Sequence, residues 1–230
     1  MYFDPLYLLF AAPGLLLSAW ASYRVRSAFD KYSQVPTTFG YTGAQAAQRL
    51  LDDAGLSDVG VIEVDGMLSD HYDPTSRQLA LSRSVFHGNS VASVGIACHE
   101  AGHALQHATG YAPLGLRSIL VPAAGIGSSV GYIVMAVGLF LSPFVVLIGA
   151  AIFSMVLLFQ LVTLPVEFDA SNRAKRLLVE SRIIEPWERE GVDRVLNAAA
   201  WTYVAAAFST LLVLLYYLFR SGLLGGSRDD

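Results

Sequence analysis

Between Arg117 and Glu167 the chain runs for 49 residues, Ser118 to Val166, without one Asp, Glu, Lys or Arg. A membrane-spanning helix needs about 20 consecutive apolar residues, so this stretch holds two such helices and a turn. Ser142-Pro143 supplies the turn, because proline lacks a backbone donor and disfavours helix in the residue before it. Two further uncharged runs, 19 residues from Pro5 to Tyr23 and 25 from Val195 to Phe219, each allow one more span. Composition agrees: 54% hydrophobic residues, 15% charged ones and a mean hydropathy of +0.49 are too apolar for a soluble protein of 230 residues. The expected fold is mainly α, a four-helix polytopic membrane protein with spans at 5–23, 118–141, 144–165 and 199–219, carrying a small α+β portion outside the bilayer.

Charge orients these spans. Lys and Arg number none before the first span, seven from Arg24 to Arg117, none in the Ser142-Pro143 turn, six from Arg173 to Arg194, and two after Leu218. Positive charge collects on cytoplasmic segments, so 24–117 and 166–198 are expected in the cytoplasm and both termini outside. Ala19-Trp20-Ala21 resembles a signal cleavage site, but the flank Met1-Tyr2-Phe3-Asp4 carries no positive charge, and a retained helix is expected. A net charge of −4 and the absence of a dense basic tract argue against nucleic acid as a partner. The single cysteine, Cys98, forbids an internal disulfide and reads as a small buried residue. Glycine and serine at 125, 127, 128, 129 and 131 let helix backbones approach closely, either within one chain or against an oligomeric or regulatory membrane partner.

The chemistry lies in His99-Glu100-Ala101-Gly102-His103, within a helix expected over about 90–109 that begins at a Ser or Asn cap and stops at Gly110. Two histidines four apart sit about 40° apart around a helix, so both imidazoles reach one tetrahedral Zn²⁺. Glu100 points roughly 100° away from His99 and misses the ligand set, yet reaches a water on the metal, the place of a general base. The plain alternative is an amphipathic helix whose histidines make ordinary hydrogen bonds. A third histidine six residues on is missing, since position 109 is threonine. His107 continues the spacing, but three successive turns cannot bend onto one ion, and it reads as an outer or surface residue.

Topology points to the third ligand. The 118–165 hairpin leaves the cytoplasmic face just after the zinc helix and returns at Leu164-Pro165-Val166-Glu167. A helix is expected to start after Pro165 with Glu167 in its first turn, completing a His₂Glu site with a fourth position for water. The competing explanation is favourable charge placement at a helix amino terminus. Asp169 is expected on the opposite helix face.

The 24–117 segment mixes element types. Thr42 to Gly55 reads as an amphipathic helix capped by Thr42 and ended by Gly55. Val59–Val64 and Arg77–Ser82 read as short strands around an Asp70-His71-Tyr72-Asp73-Pro74 turn. That turn is either local amide chemistry fixed by Pro74 or a device holding His71 or Tyr72 over the zinc as oxyanion donor. The strand after it is expected to offer an edge to an extended substrate backbone.

Three stretches carry a resemblance: Leu68-Ser69-Asp70-His71-Tyr72-Asp73-Pro74, Ala97-Cys98-His99-Glu100-Ala101-Gly102-His103-Ala104, and Pro165-Val166-Glu167-Phe168-Asp169-Ala170-Ser171. On these the chain resembles the YugP-type neutral zinc membrane metallopeptidases of bacteria along essentially its whole length. The last two stretches are also similar to those of the HtpX and CAAX prenyl protease group, which place a zinc-binding glutamate after a transmembrane hairpin. The resemblance implies a gluzincin of the bacterial cytoplasmic (inner) membrane with one Zn²⁺ per chain, ligands His99, His103 and Glu167, and Glu100 as base. Many members of the wider group carry an aspartate four residues after that glutamate, bonded to a zinc-bound histidine. Here the position is Ser171, which accepts an imidazole N–H without adding charge.

The expected function is therefore zinc-dependent endopeptidase action on protein or peptide substrates, membrane-associated ones above all, by a zincin-like cytoplasmic portion beside the bilayer. One rival is a catalytically silent zinc-binding membrane scaffold. Another is a site-2-type intramembrane protease, whose third ligand is an aspartate in a later span; here Asp65-Gly66 lies upstream and outside any span.

Overall fold

The computed structural model describes residues 4–66 and 69–225; Leu68 of the 68–74 motif, Met1-Tyr2-Phe3 of the amino-terminal flank and Arg228 of the charge count lie outside the described residues. The elements are α1 (Pro5–Tyr32), α2 (Gly43–Asp53), β1 (Gly60–Val64), β2 (His71–Asp73), β3 (Gln78–Ser82), α3 (Arg83–His87), α4 (Val91–Ala108), α5 (Ala112–Ile126), α6 (Tyr132–Leu141), α7 (Pro143–Glu180) and α8 (Arg189–Arg220). A π-helical turn, Gly127–Gly131, joins α5 to α6. Four helices are long and apolar enough to cross a membrane: Pro5–Tyr32, Ala112–Leu141, Pro143–Glu180 and Arg189–Arg220. The protein is mainly α and polytopic, with one small three-stranded sheet among the described residues.

The chain divides into two compact units. The first takes α1 through Ala21, α5 from Leu116, the π turn, α6, α7 through Leu164 and α8 from Thr202. Its large apolar side chains face outward: Leu9 is 70% exposed, Ile119 74% and Phe140 90%. Water would penalise such a surface, whereas lipid is a good solvent for it, and helices already satisfy their own backbone groups there. Inside the unit, glycines of the Ala112–Leu141 helix face α7. A Cβ on Gly131 would stand 2.6 Å from the Phe153 nitrogen, and one on Gly138 2.6 Å from that of Val146. Gly127, Gly131 and Gly138 thus serve packing within the chain, whereas Gly125, Ser128 and Ser129 are exposed.

The second unit comprises α1 from Ser22, everything onward to Gly115, α7 from Pro165 and α8 to Trp201. Thr42 and Gln45 form a reciprocal cap on α2, with bonds of 3.2 and 3.0 Å, and Gly55 ends the segment at φ +71. The buried face of α2, Ala46, Ala47, Leu50 and Leu51, joins Leu79, Leu81, Val94, Ala101, Leu178 and Ile183 in one core. At α4, Ser90 accepts from the Ser93 nitrogen at 3.1 Å, and Gly110 takes φ +61 past the helix end. Cys98 is fully buried in this core, which pushes its thiol pKa up and leaves it inert.

Three local expectations need correction. The Asp70–Pro74 segment is not a simple turn: His71–Asp73 is a strand, antiparallel to β3, and the turn lies over 74–77. Asp73 fixes that turn by accepting from the Thr75 nitrogen at 2.8 Å and the Ser76 hydroxyl at 2.7 Å. Strand order is β1-β3-β2, with β1 parallel to β3, so β3 has neighbours on both sides and no edge for a substrate. Pro165 starts no helix either; it lies inside α7, which is continuous from Pro143 to Glu180. Its ring already holds a helical φ, so the cost is the missing backbone bond to the Leu161 carbonyl and the crowding of the ring against it, which the long flanking helices on both sides outweigh.

Candidate metal centre

The centre is built from α4 and the Pro165–Glu180 part of α7, both in the second unit. They meet at very short range because Gly102 has no side chain: a Cβ there would lie 2.6 Å from the Ala170 carbonyl oxygen and 3.2 Å from its Cα. This contact carries the residues on either side of Gly102 and Ala170 toward one another. Gly102→Ala is expected to force the helices apart at an overpacking cost of about 1–3 kcal/mol. Thermal unfolding checks it: the midpoint and zinc uptake should fall together, and an unchanged midpoint would show that the two helices give way freely.

His99 Nε2 lies 3.3 Å and His103 Nε2 3.6 Å from the same oxygen, Glu167 Oε2. One ligand atom from each of the three residues falls within 4.8 Å of the others. Side-chain exposure is 14% for His99, 9% for His103 and 3% for Glu167, so the cluster is withdrawn from bulk water. Because α7 does not begin at Pro165, Glu167 sits mid-helix, and charge placement at a helix terminus no longer explains it. Both rings are held from behind. His99 Nδ1 is 3.1 Å from Ser171 Oγ, and His103 Nδ1 is 3.0 Å from Gln106 Oε1. Both contacts turn Nε2 toward Glu167, and a ring that donates from Nδ1 carries its lone pair on Nε2, the arrangement of metal-binding histidines.

Burial works against a charged His103 ring, yet the Glu167 hydrogen bond, the charges of Glu100 and Glu167 and the bond to Gln106 outweigh it and raise its pKa. The carboxylates that oppose the burial, Glu167 above all, also make the pocket attractive to a cation. Two neutral-capable imidazoles, one carboxylate and tight burial fit Zn²⁺. Glu100 is also buried, at 9% exposure, and belongs to α4 but not to the converging trio.

The other sequence candidates are placed differently. His71 is exposed, and its Nδ1 donates to the Ser69 carbonyl at 2.7 Å. The Tyr72 hydroxyl bonds His107 Nδ1 at 2.9 Å, near the end of α4. Asp169 does not face away as expected: its Oδ2 accepts from Gln106 Nε2 at 2.9 Å and from Arg173 Nε at 2.6 Å. Gln106 went unrecognised from sequence, although a polar residue seven positions after His99 and three after His103 shares their helix face.

Comparison with known proteins points to a zinc peptidase. Residues 7–222 match the family described as "Putative neutral zinc metallopeptidase". A relative from Bacillus subtilis (strain 168), "Putative membrane protease YugP", is 44% identical over 214 residues, covering 93% of this chain and 95% of the relative. No solved structure matches the chain. With matching sequence over nearly its whole length and a His₂Glu cluster beside the H-E-x-x-H glutamate, the chain belongs to the neutral zinc metallopeptidase family.

Proposed function

We propose that the protein is a membrane-embedded gluzincin endopeptidase that hydrolyses peptide bonds at the cytoplasmic face of a bacterial cytoplasmic membrane. The observation that carries this reading is the convergence of His99 Nε2, His103 Nε2 and a Glu167 oxygen, with a buried glutamate, Glu100, left outside the trio. When bound there, zinc supplies Lewis acidity to a peptide carbonyl and brings the pKa of water toward neutrality. Ser171 and Gln106 keep the two rings oriented for that role. Glu100 accepts a proton at its carboxylate as a water oxygen bonds the carbonyl carbon. It then delivers that proton to the amide nitrogen as the C–N bond breaks, giving a carboxylic acid end and an amine end.

With β3 enclosed, the sheet has free edges at β1 and β2, and an extended substrate is assigned to β2, the one tied to α4. β2 is tied to α4 through Tyr72 and His107, which favours Tyr72 over the outward His71 as the oxyanion donor. Substrates are proteins or peptides. Membrane-associated ones suit a chain in which α7 carries Glu167 on the same helix as an apolar span.

Hydrolysis of an unfolded model protein, lost on chelation and restored by stoichiometric zinc, tests the activity. Zinc uptake without any cleavage would favour the silent scaffold instead. Orientation follows from Lys and Arg: cysteines introduced near 60 and 185 should resist a membrane-impermeant thiol reagent in intact cells, while one at the carboxyl terminus reacts. Labelling of either loop would place the centre outside the cell.

A further inference from the structure

We infer that Gln106, anchored by Val166, Asp169 and Arg173, is a positioning residue that fixes the His103 ring in the tautomer able to bind a metal. The inference rests on the zinc peptidase reading above and assigns a role within it to residues outside the ligand set.

Gln106 is fully buried, and both of its amide hydrogens are taken. Its nitrogen donates to the Val166 carbonyl at 2.7 Å and to Asp169 Oδ2 at 2.9 Å. Both partners only accept, so neither tolerates the amide turned over. The amide oxygen must therefore face His103 Nδ1, 3.0 Å away, and an oxygen in that place demands a proton on Nδ1. A neutral ring with Nδ1 protonated carries its lone pair on Nε2, the atom that faces Glu167. The carboxylate behind the amide is itself held: Arg173 Nε reaches Asp169 Oδ2 at 2.6 Å, and the guanidinium lies 5.7 Å from the centre of the Tyr111 ring. The arrangement around His99 lacks this logic. Ser171 has a rotatable hydroxyl that donates or accepts equally well, so it holds the ring without dictating which nitrogen bears the proton.

The two helices explain why the lock spans them. Gln106 is on α4, whereas Val166 and Asp169 are on α7, one turn before and immediately before Ala170, the residue against which Gly102 packs. The amide thus bridges the seam between the helices and transmits the geometry of α7 to a ring on α4.

The test reads the proton directly. Nitrogen-15 spectra of the metal-free, full-length protein at alkaline pH report the tautomer of each of its five histidines. His103 is expected to be Nδ1-protonated in the wild type. In Gln106→Met, which keeps the volume but removes every hydrogen bond, the proton should move to Nε2, where Glu167 accepts it, and zinc affinity should fall about 10–100-fold. Asp169→Ala leaves the Val166 anchor, so the tautomer should persist and the loss of affinity should be smaller. Unchanged signals from His71, His87 and His107 verify that a variant is folded. A wild-type His103 protonated on Nε2, or a Gln106→Met variant with wild-type zinc affinity, would overturn the assignment. Failure of the wild type to take up zinc would instead overturn the peptidase reading, since the tautomer is measured without metal.

Discussion

Glu100→Gln is expected to lower peptide cleavage by about 10²–10⁴-fold, the usual worth of a positioned general base, while zinc content stays at the wild-type level. The substitution preserves size and the acceptor oxygen but removes the capacity to hold a proton. Glu100 is buried on α4 and lies outside the converging ligand atoms, so the centre keeps its three donors. Metal analysis alongside a turnover assay separates the outcomes. Loss of zinc would give Glu100 a ligand or structural role, and near-normal turnover would remove it from the reaction.

The second large effect belongs to the third ligand. Glu167→Ala removes the one oxygen that both Nε2 atoms face, and should reduce zinc affinity by more than the roughly 10–100-fold typical of residues behind the ligands, with activity falling in step. Asp169→Ala should keep one zinc per chain, because Asp169 acts only through Gln106. Equilibrium dialysis of the two variants checks this. Equal zinc in wild type and Glu167→Ala, with Asp169→Ala depleted, would show that the other carboxylate binds.

Much of this was legible in the sequence because the signals are local. An uncharged run of 49 residues has few solutions other than a helical hairpin, and a capped helix keeps His99 and His103 on one face whatever surrounds it. Glu167 was reachable because the hairpin's length constrains where the chain returns. What escaped depends on contacts between elements. A proline reads locally as a helix start, and only the helix on both sides of Pro165 carries α7 through it. Asp169 sits about 200° around α7 from Glu167, yet α4 approaches so closely at Gly102 and Ala170 that residues on both flanks of α7 reach it. Gln106 carried no signal of its own, because its three partners are 3, 60 and 63 residues away. The three-residue strand β2 is likewise too short to announce itself and forms through its pairing with β3.

Whether His99, His103 and Glu167 form a single zinc site is decided by anomalous scattering from crystals of the purified protein at the zinc absorption edge. One peak per chain is expected, bounded by the Nε2 atoms of His99 and His103 and a carboxylate oxygen of Glu167, and lost in Glu167→Ala. A crystal of zinc-replete protein with no peak there, or with its peak at the Tyr72 and His107 pair instead, would contradict it.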